Sequence, residues 1–150
     1  MSIKTFKIFS CLLSYPSVEL QQSLTELAAI LNQEQLLEKS ICLKLSNWIT
    51  RLASLDLIDW QQEYVTLFDS SVSLCLFEYL HGQSKDRGQA MVDLSDYYQQ
   101  QHFQITNSEL PDYLPLILEF LSEQSPDLIK EFLVDMLKII TQIGFKHKQH

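Results

Sequence analysis

The stretch Glu109–Leu121, ELPDYLPLILEFL, limits the fold more than any other part of the chain. From Leu114 onward nearly every position is apolar, so no face of it suits water, and a helix of that kind belongs inside a domain or under a ligand. Pro111 and Pro115 cannot both lie inside a helix. Asp112 as N-cap resolves the conflict, because Pro115 then falls at the third helical position, where its missing N–H removes no hydrogen bond. The spacing therefore predicts a helix from about Asp112 to Ser122, capped by Asp112, at the centre of the domain.

Around that centre the apolar spacing is helical almost everywhere and alternating almost nowhere. Ile3, Phe6, Ile8, Phe9, Leu12 and Leu13 suggest a first helix, ended by Tyr15-Pro16 because proline disfavours a helical predecessor. Ser17 can cap a second helix carrying Leu20, Leu24, Leu27, Ala28 and Leu31. A third, from about Glu34 to Leu55, places Leu37, Ile41, Leu45, Trp48, Ile49 and Leu52 on one face. Asp59 looks like the start of a fourth with Trp60, Tyr64, Val65 and Phe68 at helical spacing. A short apolar helix follows near Leu74–Leu80, then one from about Lys85 to Gln101. The last begins after Ser125-Pro126-Asp127, with Ser as N-cap, Pro at the first position and Asp at the positive helix end. The expected fold is all-α, a bundle of about seven to eight helices in one domain over 1–150, and a chain of 150 residues can bury roughly 68–70% of its unfolded surface without staples.

Charge and cysteine usage narrow the function classes. The formal net charge of −8 repels a phosphate backbone and makes a basic peptide a more natural partner than nucleic acid. Cys11, Cys42 and Cys75 are isolated and form no CxxC pair, so they read as small core residues in a reducing cytoplasm. The opening MSIKTFKIFSCLLSYP reads as a first helix and not as a signal peptide, since Lys7 and Ser10 interrupt its apolar run. No stretch of about 18 uninterrupted apolar residues offers a membrane span. Gly82 and Gly88 are not a phosphate loop, because no lysine follows Gly88 and no strand precedes. His81, His102, His147 and His150 are scattered and no HExxH occurs, so no metal site is suggested, nor does any local signature single out a nucleophile.

One helix is odd. In HGQSKDRGQAMVDL, His81–Leu94, the residues Ala90, Met91, Leu94, Tyr97 and Tyr98 form an apolar stripe, and Arg87 falls within it one turn before Met91. A buried unpaired guanidinium would cost several kcal/mol, so a carboxylate should meet it, and Glu109, Asp112, Asp69 and Glu78 are the candidates. Arg87 is then either a staple between two helices or a staple that shapes a groove.

At these residues the chain resembles a known family. YVTLFD (Tyr64–Asp69), LCLFEYLHGQSKDRGQAMVDL (Leu74–Leu94), Tyr97 or Tyr98, ELPDYLPLILEFL and, more loosely, LLSYP (Leu12–Pro16) are similar to the signature blocks of the NarJ-type nitrate reductase molybdenum cofactor assembly chaperones, also called the delta chain. Two positions depart from the pattern: Tyr113 stands where related groups often carry His, and Gln101-His102 stands where a glycine-ended helix is expected. Family members commonly continue beyond GFKHKQH, where this chain stops.

The resemblance implies a cytoplasmic, system-specific chaperone of the redox-enzyme maturation group, with no catalytic activity and no permanently bound cofactor. Such a protein binds the apo catalytic (alpha) subunit, notably its N-terminal segment. It holds that subunit for insertion of the molybdenum bis-guanine-dinucleotide cofactor and delays its docking on the membrane subunit. An amphipathic peptide helix would lie in a groove lined by Phe68, Leu76, Met91, Tyr98, Tyr113 and Leu116, with acids such as Asp112 and Glu119 on the rim. His81, Arg87 and Glu109 complete the candidate set. Burial alone explains each of the apolar residues equally well. A generic helical adaptor would share the composition, and a nucleotide- or molybdopterin-binding factor would set Lys85, Arg87 and Gly88 against phosphates.

Overall fold

The computed structural model of the chain describes residues 3–69, 73–80, 85–106 and 108–149, without the side chains of Leu80 and of residues 138–149. Among the described residues there are eight helices and no strand: α1 Lys4–Leu12, α2 Val18–Glu34, α3 Lys39–Ser54, α4 Leu57–Phe68, α5 Phe77–Leu80, α6 Asp86–Gln100, α7 Leu114–Ser122 and α8 Pro126–Gln149. The all-α expectation is met, and the two best-signalled starts fall where their capping residues put them. Ser17 Oγ accepts the Leu20 amide at 3.1 Å, and Ser125 Oγ accepts that of Leu128 at 3.3 Å. Each satisfies one of the donors that a helix N-terminus leaves without a partner.

α4 starts at Leu57, two residues before the expected Asp59, and α5 at Phe77, three after Leu74; the start of the third helix differs most, and for a local reason. The third helix was expected from Glu34, yet Glu34 ends α2 and α3 begins at Lys39. Gln35, at φ 56°, takes the left-handed conformation that terminates a helix, and the chain turns before it restarts. The buried stripe of α3 is rotated accordingly: Cys42, Ile49 and Leu52 face inward, while Ile41 and Trp48 are exposed. His102 takes the same conformation at φ 60° just past α6. It adopts there the geometry that a glycine would have supplied more easily.

Glu34 has a second task. Its carboxylate accepts the Lys4 and Thr5 amides, each at 2.8 Å, and the Thr5 hydroxyl at 2.6 Å, so α2 caps the start of α1, whose own N-cap Ile3 has no side chain to offer. Partial burial opposes ionisation of Glu34, but the Thr5 and Lys4 hydrogen bonds outweigh it and hold its carboxyl below the usual value of 4.5.

The apolar side chains gather in two cores. One contains Ile8, Leu24, Leu31, Ile49, Leu52 and Trp60 from α1 to α4. The other is built on α7, with Leu76, Phe77, Leu94, Tyr98, Phe103 and Ile129 around it. Phe9 of α1 packs against both. Eight of the nine α7 residues are buried, as the all-round apolar pattern requires. At its centre Phe120 is fully buried, with the rings of Tyr98, Phe103, Tyr97 and Phe132 at 4.8, 5.4, 5.8 and 6.1 Å. α1 lies along α7: Ser10 Oγ donates to the Pro115 carbonyl at 2.5 Å, Lys7 pairs with Glu119 at 2.8 Å, and the Ile3 amide meets the Ser122 carbonyl at 2.9 Å.

Two stability predictions follow from these contacts. Phe120→Ala removes a ring from a site with no solvent side and should cost about 3–5 kcal/mol, read from urea unfolding. Glu34→Ala should cost about 1 kcal/mol at neutral pH, as loss of a helix cap does. Because the folded-state value of Glu34 is lowered, its contribution is present above 4.5 and fades as pH falls through that lowered value, so the gap to wild type should close in acid.

Candidate functional site

The sequence blocks that carry the family resemblance converge on one junction. The segment before α5 runs antiparallel to the segment before α7, with a bridge between Cys75 and Tyr113. The Leu76 amide donates to the Asp112 carbonyl at 3.1 Å and the Leu114 amide to the Leu74 carbonyl at 2.8 Å. Between these two bonds the Asp112 side chain reaches across, and its Oδ2 accepts the amide of Phe77, the first residue of α5, at 2.9 Å.

Asp112 therefore caps a helix, but not its own. The N-cap of α7 is Tyr113, with no side-chain bond, and Pro115 sits in the first two positions, one earlier than the sequence spacing placed it. The reason lies in the short α5. Neither Cys75 nor Leu76 before it can cap, so its first amide takes an acceptor from 35 residues away. Nor is Asp112 a rim residue: it is completely buried, and among the described residues nothing donates to its Oδ1. Burial pushes its carboxyl above the usual 3.8, against the Phe77 amide and the Arg87 charge, which favour the ionised form.

The same junction gathers hydroxyls and a thiol. Tyr98 is buried, and its hydroxyl donates to the Pro111 carbonyl at 2.7 Å. Tyr64 donates to the Leu13 carbonyl at 2.7 Å, and its oxygen lies 3.2 Å from that of Tyr113. Burial, then the neighbouring Tyr113 for Tyr64 and Asp112 for Tyr98, raises both phenols well above their ordinary range. Burial, with the charges of Asp112 and Glu78, pushes the Cys75 thiol up to about 11, which makes it a poor nucleophile at neutral pH.

Arg87 meets Glu78, one of its four expected partners, with Nη2–Oε1 at 3.6 Å, and so ties α6 to α5. Both side chains are partly exposed, so the pair contributes little stability by itself. Leu76, Tyr98 and Leu116 are core residues, while Phe68, Met91 and Tyr113 are half-buried against that core. Glu119 is half-buried and held by Lys7, and Glu109 is exposed, with its carboxyl raised by partial burial and by Glu119. His81 lies outside the described residues. What sequence reasoning missed is Phe77 and the acceptor it needs, and the absence of any Ser, Thr, Asp or Asn just before FEYL was the available signal. Among the described residues no group of three or more His, Cys, Asp or Glu side chains could hold a metal ion, and no helix is long and apolar enough to cross a membrane.

Three comparisons place this geometry among known proteins. Residues 17–142 match the family model of the nitrate reductase delta subunit. The chain is 38% identical over 144 residues to the nitrate reductase molybdenum cofactor assembly chaperone NarJ of Escherichia coli, covering 95% of this chain and 61% of that one. It is 35% identical over 149 residues to a protein named as the probable chaperone NarW of the same organism, covering 98% and 62%. A probable NarJ of Bacillus subtilis is 34% identical over 118 residues, covering 77% and 63%. The chain thus spans about three fifths of the length of these curated relatives. A solved structure from Archaeoglobus fulgidus, described as a redox enzyme maturation protein, superposes with a TM-score of 0.68 over 95% of this chain and 80% of that one; at 23% identity it speaks for the fold alone.

The buried Asp112 gives a pH test. Its folded-state value is raised, so the fold binds that proton more tightly than the unfolded chain does. Its contribution to stability is greatest below 3.8 and is lost as pH rises through the raised value. Asp112→Asn keeps an oxygen for the Phe77 amide and cannot ionise. Urea midpoints of variant and wild type, compared from about pH 4 to about pH 7, should diverge in the variant's favour as pH climbs. Parallel curves would show that Asp112 does not titrate in this interval.

Proposed function

The chain belongs to the nitrate reductase delta subunit family, and on that premise we propose that it is a maturation chaperone for a respiratory nitrate reductase, not a catalyst. One observation carries this reading: the family match runs over residues 17–142 and so includes all the segments that meet at Asp112. The relatives at 34–38% identity carry the name of nitrate reductase molybdenum cofactor assembly chaperones.

The client is the apo catalytic subunit, engaged in the cytoplasm through its N-terminal segment while molybdenum bis-guanine-dinucleotide is inserted, before the subunit docks at the membrane. The cofactor is cargo of the client and not a resident of this chain. The chaperone's own residues supply binding energy and order, with no bond made or broken. Its net charge of −8 speeds encounter with a basic segment and disfavours anionic competitors.

Calorimetric titration of the chain with a synthetic peptide of the catalytic subunit's N-terminal segment, and separately with GTP, tests the reading. Saturable one-to-one heat with the peptide and none with GTP is expected. Heat with GTP alone would replace the chaperone reading by a nucleotide-binding one, and heat with neither would leave a helical adaptor.

A further inference from the structure

The charge of this chain is not spread evenly. Against a net charge of −8, α3 carries Lys39, Lys44 and Arg51 and neither Asp nor Glu. At roughly 100° per residue, Ile41, Lys44, Trp48 and Arg51 fall on one strip of α3, about 80° wide and about 15 Å long. The strip lies beside the face that Cys42, Ile49 and Leu52 turn into the first core. All four of its residues are exposed, Ile41 at 43% and Trp48 at 39%.

The cations of α3 are available. Among the described residues no carboxylate pairs with Lys39 or Lys44. Arg51 pairs with Glu63 at 2.6 Å, but both side chains are about half exposed, and such a pair is weak and leaves guanidinium donors free. Of the acids nearest along the chain, Glu34 is engaged by Lys4 and Thr5, which leaves Glu38 before the helix and Asp56 after it. Scattered apolar side chains are ordinary on a protein surface. An indole and an isoleucine alternating with two cations along one strip form a pattern with a specific physical match.

We propose that this strip of α3 is a docking face for an anionic phospholipid surface, on which the chain rests without crossing it. Trp favours the headgroup level of a bilayer, and an isoleucine beside it reaches the acyl boundary. The Lys44 and Arg51 stems run along that apolar surface while their charged ends meet lipid phosphates. No described helix is long and apolar enough to cross a membrane, and a surface seat needs none. The net negative charge does not forbid it. A domain of this length is roughly 35–40 Å across, several times the ~8 Å over which charges are screened at physiological ionic strength. Acids on the far side therefore count for little at the strip. A second copy seated strip to strip would bring cations against cations, and a nucleic acid would find no use for Ile41.

α3 belongs to the first core and the Asp112 junction to the second, so a lipid seat on α3 leaves the junction free. The proposal goes beyond the chaperone reading and does not depend on it. Joined to that reading, it keeps a loaded chaperone near the leaflet where its client docks.

The test adds the full chain to vesicles of phosphatidylethanolamine with phosphatidylglycerol, and to vesicles of phosphatidylcholine alone. The chain's two tryptophans make it self-reporting: Trp60 is buried, so a change of emission reports Trp48. At low salt the chain should float with the anionic vesicles, its emission should shift to the blue, and both effects should fade as salt rises. Neutral vesicles should do neither. Lys39→Glu with Lys44→Glu should weaken partition about tenfold or more, since each cation near such a surface is worth about fivefold. Lys85→Glu with Lys130→Glu, the same charge change beside α6 and on α8, should stay within about threefold of wild type. All four lysines are exposed, and thermal unfolding checks that each variant folds. No flotation of wild type, equal weakening in the two variants, or flotation with unchanged emission would overturn the proposal. Binding of soluble polyglutamate or oligothymidylate that the Lys39 and Lys44 changes abolish, with vesicles ignored, would give the strip to an acidic protein segment or a nucleic acid instead.

Discussion

Burial of a helix that has no polar face governs this structure. α7 is nine residues long with a single charge, Glu119, so it needs partners on every side. α1 and its two capping residues cover one side through Ile3, Phe6, Phe9 and Leu13; α6, α8 and the segment before α5 cover the others. Surrounding it takes contributions from both ends of the sequence, and it leaves the first core, α1 to α4, as a separate cluster that touches the second mainly through α1. Phe120, ringed by Tyr97, Tyr98, Phe103 and Phe132, is where these partners meet.

Much of this was legible because the signals were local. Helix starts at Ser17 and Ser125 depend on a side chain and an amide three residues apart, and the sequence shows both. The central place of α7 follows from its composition, and the partnering of Arg87 from the cost of leaving a guanidinium alone in an apolar stripe. What was not legible depends on acceptors far away in sequence. Asp112 looked like a cap for the helix two residues ahead, and nothing nearby says that the Phe77 amide, 35 residues back, competes for it and wins. Glu34 likewise serves Lys4 and Thr5 across 30 and 29 residues. The break at Gln35 escaped because a left-handed glutamine leaves no mark of the kind a glycine leaves.

The blocks that announce the family lie mostly inside the fold, and this bears on how a site is sought from sequence. Leu76, Tyr98, Asp112 and Leu116 are buried, so the pattern they form records how the helices lock together. A docking surface is built from what that lock leaves unpaired. The lining of the α6–α8 cleft was partly visible as the stripe of Ala90, Leu94 and Tyr97, but a stripe says that something packs there without saying whether it is the chain's own core. Only the arrangement of α8 shows that the stripe meets it through the stacked rings of Tyr97 and Phe132, 6.4 Å apart, and that a cleft with Phe77 and three acids in its lining is left beside them.

The pairing of α1 with α7 also bears on how the chain is made. Lys7 and Glu119 are 112 residues apart, so at ordinary elongation rates of about 5–20 residues per second α1 waits roughly 6 to 22 s after synthesis before its partner exists. During that interval its early anchors are Glu34, which grips Lys4 and Thr5 as soon as α2 has formed, and the first core, where Ile8 and Leu12 pack with Leu24 and Leu31. Glu34 and the first core therefore do for the nascent chain a version of what a chaperone does for its client: they keep the apolar helix α1 in place until the helix that will cover its other side has been built.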